Sequence, residues 1–223
     1  MTETSKPRPA DGAPSLAPRK QTRADATQQR ILIAARKEFA KNGLGGARVD
    51  EIAARAKANK RMIYHYFVSK DALFQLVLEQ AYLDLRQAEQ KLELENLAPE
   101  AALEKLVRFT WQYYLKNPDF VTLVNSANLH KAKHLKNSAN FRSVNKNYVG
   151  TTADILARGV ASGAFRDNID PIQLTISMAA VNFYYFTNRY TLSLIFDTDL
   201  MDEASLEARI NFNIETIMRM VLK

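Results

Sequence analysis

The chain contains no cysteine, which excludes disulfides, thiolate metal sites and thiol nucleophiles together. Glycine and proline are sparse, seven of each in 223 residues, and no glycine-rich phosphate loop occurs. Histidine is limited to three positions, and no paired acids fall within an aromatic cluster, so no catalytic set assembles along the sequence. No apolar run approaches the roughly 18 residues of a membrane span, and the N-terminus lacks an apolar leader segment. These absences predict a soluble, cytoplasmic protein that is not an enzyme, with no cofactor, no bound metal and no membrane partner.

What is present is basic charge and helical periodicity. Lys and Arg number 31 against 24 Asp and Glu, giving a net charge of +7 and an isoelectric point near 9.5. That balance points to a polyanionic partner. Residues 1–22 hold four of the prolines (Pro7, Pro9, Pro14, Pro18) and no large apolar cluster, which predicts disorder. This stretch ends in Arg19 and Lys20, followed by Arg23; such an arm either enters a minor groove or only solubilises the chain.

From there the pattern is helical throughout. Ile31, Leu32, Ala35 and Phe39 recur at helical spacing behind Thr27 as a cap, and Asn42–Gly43 ends the run. Val49, Ile52 and Ala53 share one face of a short helix over 48–56, and a third helix covers 59–67. Two short helices joined by residues 57–59 form a helix-turn-helix. Further helices are predicted from Ser69 to about 95, then over 100–116, 119–133, 139–162, 170–196 and 203–222. The fold class is all-α, divided into an arm (1–22), a small domain with the helix-turn-helix (23–68) and a larger helical body (69–223).

The stretch "NKRMIYHYFVSK" (59–70) sets cations at two consecutive helix starts: Lys60 and Arg61 behind Asn59, and Lys70 behind Ser69. A helix start already carries about half a positive charge, so each added cation is unfavourable by about 0.3–1 kcal/mol. On a helical wheel Ile63 and Phe67 face the domain, while Arg61, Met62 and His65 face away and Tyr64 and Tyr66 lie at the margins. Placed in a major groove, the outward face gains phosphates for its charges, base edges for Lys60 and Arg61, and a thymine methyl for Met62. Tyr64 and His65 can donate to phosphates, and Lys70 can grip the flanking backbone. The competing account is solvated cations beside a tyrosine cluster that belongs to the core.

Residues 27–74 resemble the DNA-binding domain of TetR-type transcriptional repressors. The resemblance rests on Ile31 to Phe39 and Gly43, on Val49, Ile52 and Ala53, on Ile63–Tyr64–His65–Tyr66–Phe67, and on Ser69–Lys70 with Ala72–Leu73. It implies a homodimer that binds a palindromic double-stranded operator and releases it when a small-molecule effector occupies the larger domain. It also implies DNA contacts at Lys60, Arg61, Met62, Tyr64, His65 and Lys70. Arg48 stands where the family usually has a capping Thr that touches phosphate; an Arg can make that contact but not the cap. Lys57 stands where Gly is common, and Met62 and Arg61 replace a common Thr and Gly, so the operator sequence does not transfer from relatives.

In the larger domain, aromatics at helical spacing are mostly core, with polar residues interspersed. Trp111, Tyr114, Asn125, Phe141, Tyr148, Asn182 and Tyr185 are the candidate effector lining; Asn128, Asn188 and Arg189 are further polar groups among the aromatics. His130 and His134 have the spacing of a two-ligand metal site, but Lys131, Lys133 and Lys136 surround them and disfavour a dication. Leu174, Met178, Val181, Ile210, Ile214, Ile217 and Val221 form an apolar stripe suited to a four-helix bundle across a two-fold axis; the alternative is a last helix docked on its own domain. Two other functions compete with a ligand-responsive repressor: an all-α enzyme that uses the basic stretch for an anionic substrate, and a nucleic-acid-binding protein without an effector.

Overall fold

A computed structural model describes residues 23–223; the N-terminal arm expected over 1–22 lies outside them. Among the described residues there are ten α-helices and no strand longer than an isolated bridge between Phe165 and Leu222. The chain is all-α, as its periodicity predicts.

The first three helices are α1 (Arg23–Gly46), α2 (Val49–Ala56) and α3 (Lys60–Phe67). Helix α1 begins four residues before Thr27, which is buried inside the helix rather than capping it. Its regular part ends at Gly43, whose φ of 63° and ψ of 177° break the helix where the sequence places the stop. Ile31, Phe39, Ile52, Ile63 and Phe67 are buried in the part of the core that these helices share. The turn between α2 and α3 puts Lys57 in the left-handed region (φ 50°, ψ 47°), the conformation that explains why glycine suits this position.

Helix α4 (Lys70–Gln90) starts on the Ser69 hydroxyl, which accepts from the Ala72 amide at 3.0 Å. It packs on α1, on α6 (Pro118–Leu129) and on α7 (Ala139–Val144). After a 3-10 turn at Leu94–Asn96 come α5 (Pro99–Lys116), α8 (Gly150–Ala161), α9 (Pro171–Phe196) and α10 (Glu203–Val221). Prolines occupy the first positions of α5, α6 and α9, where a missing N–H leaves no helical bond unmade.

The helix predicted over 139–162 is two helices. Its interior carries Asn145, Asn147 and Gly150, and Asn145 Nδ2 donates to the Phe141 carbonyl at 2.9 Å, a side-chain bond that competes with continuing the helix. The helix predicted to 133 stops at Leu129, where His130 Nδ1 lies 2.8 Å from the Ser126 carbonyl and Lys131 and Ala132 turn left-handed.

Candidate nucleic-acid interface and inner cavity

Helix α3 is anchored by the two residues its pattern points inward: Ile63 is 1% exposed and Phe67 4%. Its start is capped as the sequence predicts, with Asn59 Oδ1 accepting from the Arg61 amide at 2.9 Å. Arg48, Lys60, Arg61, Tyr64 and His65 are exposed, and Met62 and Lys70 are half-buried. Tyr66 is also half-buried, its ring against Phe67. The structure thus brings all seven sequence-predicted contact residues to one end of the molecule, around a single short helix.

The electrostatics of that end differ from the sequence expectation. Lys60 Nζ reaches Asp50 Oδ1 on α2 at 2.9 Å, and the hydrogen bond and attraction of that carboxylate hold the Lys60 ammonium above its usual value. Lys70 Nζ donates to the Ala47 carbonyl at 3.1 Å and lies 3.5 Å from that of Gly45, at the negative end of α1. Two of the three cations therefore have partners within the chain, and DNA is not needed to account for them. Arg61 is the exception: its guanidinium has no ion pair or hydrogen bond among the described residues, and it is exposed.

Arg48 precedes α2 without a side-chain cap; its amide instead donates to Glu38 Oε1 at 3.2 Å. Glu38 is buried at 2% exposure and also accepts from Asn42 Nδ2 at 2.8 Å, so one carboxylate of α1 sets the entry to the helix pair. Between α3 and α4, Val68 sits at φ 62°, ψ −49°, and the Ser69 amide donates to the Phe67 carbonyl at 2.6 Å. That is a γ-turn of the rare, strained hand, centred on a β-branched residue.

Behind the helix pair, a cavity of 530 Å³ opens between α4, α5, α6, α9 and the loop before α8. Tyr82, Tyr114, Phe120, Tyr148 and Phe183 line it, with Arg86, Asn128 and the small residues Ala179 and Ala180. A cleft of 30 Å³ shares Arg86, Tyr114 and Tyr148 and adds Glu89, Thr110, Thr152 and Thr175. Arg86 stacks 4.2 Å over the Tyr148 ring and ion-pairs with Glu89 through Nη1. Its side chain is 12% exposed, and its Nε is buried without a partner. Burial raises the Glu89 carboxyl above its usual value, against the opposing pull of Arg86, and burial likewise pushes up the phenols of Tyr82, Tyr114 and Tyr148.

Of the seven residues predicted to line an effector site, only Tyr114 and Tyr148 border this cavity. Phe141 stands one layer behind, its ring 4.9 Å from that of Tyr82. Trp111 is core, packed on Phe186 and Tyr185, and the Tyr185 hydroxyl donates to the Leu200 carbonyl at 2.7 Å. Asn182 is fully buried: it donates to the Val107 carbonyl at 3.3 Å and accepts from Asn213 Nδ2 at 2.9 Å. That pair ties α5, α9 and α10 together, away from the cavity. Asn125 is exposed. Arg86, Tyr82, Phe120 and Phe183 lie outside the sequence prediction; the signal for the first two is a Tyr and an Arg four apart on the stripe of α4 that carries Leu78 and Leu85.

The stripe expected at a dimer interface is turned inward. Leu174, Met178, Ile210, Ile217 and Val221 are buried among α5, α8, α9 and α10, and Val181 and Ile214 are half-buried against the same core. The apolar residues left outside are others on the same two helices: Ile176, Tyr184, Leu194, Ile195 and Phe212. The His130 and His134 rings lie 6.2 Å apart, and no group of three or more His, Asp or Glu that could hold a metal occurs among the described residues; His134 Nδ1 lies 3.4 Å from Asp71 Oδ1, and its ring edge packs on Phe74. No described helix is long and apolar enough to cross a membrane.

The arrangement matches known proteins over nearly its whole length. The family model for bacterial regulatory proteins of the tetR family matches residues 31–77, and that for the tetracyclin repressor-like C-terminal domain matches 99–217. The transcriptional repressor NicS of Pseudomonas putida is 43% identical over 81% of this chain and 85% of its own length. The regulator RutR of Escherichia coli O157:H7 is 27% identical over 89% and 90%. A solved structure, the transcriptional regulator SCO4942 of Streptomyces coelicolor, superposes with a TM-score of 0.66 at 25% identity, over 87% of this chain and 98% of that one. With two domain models in the expected order and a full-length repressor this similar, the chain belongs to the TetR family of DNA-binding transcriptional regulators.

Proposed function

We propose that the protein is a ligand-responsive repressor that binds a palindromic operator as a homodimer and leaves it when a small molecule fills the inner cavity. One observation supports the link between the two events: α4 belongs to both sites. Its Ser69 cap adjoins the outward helix α3, and about four turns on, Tyr82 and Arg86 line the cavity. A ligand that displaces Arg86 moves the helix on which the reading head is mounted. Heads no longer about 34–36 Å apart cannot occupy successive major grooves. In this reading Arg48, Lys60, Arg61, Met62, Tyr64, His65 and Lys70 meet the DNA, with Arg61 free to take a base edge.

The dimer in this reading forms through the outer face of α9 and α10 rather than through the inward stripe. Tyr184, Leu194 and Ile195 are 56%, 84% and 69% exposed, and Phe212 is 59%, a concentration of apolar surface that marks a contact site. Dimerisation lets one short helix per chain bind usefully, because two half-sites are read together. The test is Leu194→Glu with Phe212→Glu, followed by sedimentation and gel shift against DNA upstream of the protein's own gene. A folded monomer that has lost operator binding is expected. A variant that stays dimeric, or a monomer that binds with full affinity, removes the outer face or the dimer from the proposal.

A further inference from the structure

The cavity also carries information about what fills it. Arg86 is the one formally charged side chain among the residues lining the 530 Å³ space; Glu89 borders only the narrow cleft beyond it. Five aromatic rings stand in the wall among aliphatic side chains and Asn128, set edge-on to one another at Tyr82–Phe120 and Tyr114–Phe183 and nearly parallel at Tyr114–Phe120. The guanidinium is held by stacking on Tyr148 and by Glu89, yet its Nε donor is buried and unpaired. Stacking and one ion pair leave part of the guanidinium's donor capacity unused, so a guest that engages the guanidinium gains a charge-assisted hydrogen bond.

Three classes of guest can be compared at that guanidinium. A cation would be repelled by it. A neutral polar guest would accept a hydrogen bond from it without using its charge. A carboxylate would do both, through the planar geometry in which arginine binds carboxylates. The charge count favours a monoanion over a dianion: there is one arginine, and Glu89 already draws on it. The ring-lined wall favours a flat aromatic body, whose edges and faces find complementary partners there, and the volume falls in the range of small-molecule sites.

Resting on the reading of this space as the effector site, we propose that the effector is a small aromatic monocarboxylate whose anion is bound by Arg86. The guanidinium exchanges part of its contact with Glu89 for the ligand, and the aromatic body lies among Tyr82, Phe120 and Phe183. Such a ligand pulls on α4 directly, because Arg86 is part of that helix.

The test titrates the full chain with 2-naphthoate, its isosteric amide and its amidinium analogue, followed by calorimetry. Benzoate and phenylacetate serve as smaller carboxylates. The carboxylate is expected to bind at least about tenfold more tightly than the amide, a difference of about 1.4 kcal/mol, and the amidinium not at all. Arg86→Gln alone would strand the buried Glu89 carboxylate, so the informative variant is Arg86→Gln with Glu89→Gln, checked for folding by circular dichroism. It should bind acid and amide alike. The proposal is overturned if none of the three carboxylates binds, if the amide or amidinium binds wild type as tightly as the acid, or if the preference survives in the double variant. A gel shift run in parallel separates the two claims. Carboxylate binding without operator release would sink the regulatory role of the cavity and keep its charge preference. Operator release by the amide alone would do the reverse.

Discussion

The reading head and the inner cavity are built on opposite plans. The head is one short amphipathic helix whose polar face is outside and whose two anchors, Ile63 and Phe67, are consecutive on its inner stripe. The cavity takes side chains from four helices and a loop, no one of which supplies more than a few. The head has ready partners for all but one of its helix-start cations within the chain; the cavity buries an arginine nitrogen with none. Surface recognition is thus a property of a local segment. Internal recognition is a property of the packing, and it concentrates at α4, where the two regions share a helix.

If the head acts through its outward face, breaking that face is the largest effect available. Arg61→Ala and Tyr64→Ala are each expected to weaken operator binding by about 1–3 kcal/mol per half-site, so that a two-fold complex loses about thirtyfold or more. Gel-shift titration with circular dichroism measures this. Neither side chain is buried, so the fold should be unchanged, and undiminished affinity would remove α3 as the reading helix. The matching change in the cavity is Ala180→Trp, which fills space at the wall that Ala180 shares with Ala179 and Phe183 of the same helix. Operator affinity should stay within about twofold of wild type, while effector binding falls by about tenfold or more, in line with the loss expected when a pocket is overfilled. A variant that loses DNA binding instead would show that the two regions are less separable than their plans suggest.

The same contrast decides what could be read from the sequence. The head was legible because its period, its caps and its exposed cations all lie within twelve residues: Asn59 and Ser69 cap as expected, and the left-handed Lys57 sits where glycine is common. What the sequence could not show was charge pairing across elements, the Lys60–Asp50 bond and the cover of Lys70 by the end of α1. The cavity was legible only in type. Aromatics with a few polar groups describe it correctly, but Trp111, Asn182 and Tyr185 satisfy that description from within the core. An apolar stripe does not announce whether it faces its own domain or a second copy, which is why Leu174, Ile210 and Ile217 pointed to an interface and lie inside.

A smaller effect tests the junction between head and α4. Val68 is 80% exposed, so its replacement removes little packing, while its positive φ is unfavourable for a β-branched residue by about 1–3 kcal/mol. Val68→Gly should therefore stabilise the chain by about 1 kcal/mol, after allowing for the greater freedom glycine gives the unfolded state. Urea unfolding reads it directly. If stability rises while operator affinity falls, the strained turn holds α3 at its angle; if stability does not rise, the turn carries no strain.

The smallest effect expected lies where the loop after α6 meets the start of α4. Burial lowers the His134 ring below its usual value of 6.5, against the opposing attraction of Asp71, with Lys133 and His130 lowering it further. The unfolded chain therefore binds a proton there more readily than the folded one. This contribution is fully present above about pH 6.5 and declines as pH falls from there towards the depressed folded value. His134→Phe preserves the ring contact with Phe74 and removes the titrating group. Urea midpoints between pH 5 and pH 7.5, a range of about one histidine titration, should rise with pH more steeply in wild type than in the variant. Equal slopes would assign the dependence to carboxylates, foremost Glu79. There burial raises the carboxyl, but hydrogen bonds from Ser138, Asn140 and Gln75 bring it below its usual value, so its stabilisation too is lost on acidification, from a lower starting pH. Because both groups join α4 to the stretch from the end of α6 to the start of α7, the pH at which the slope begins identifies which contact first releases the helix that the head and the cavity share.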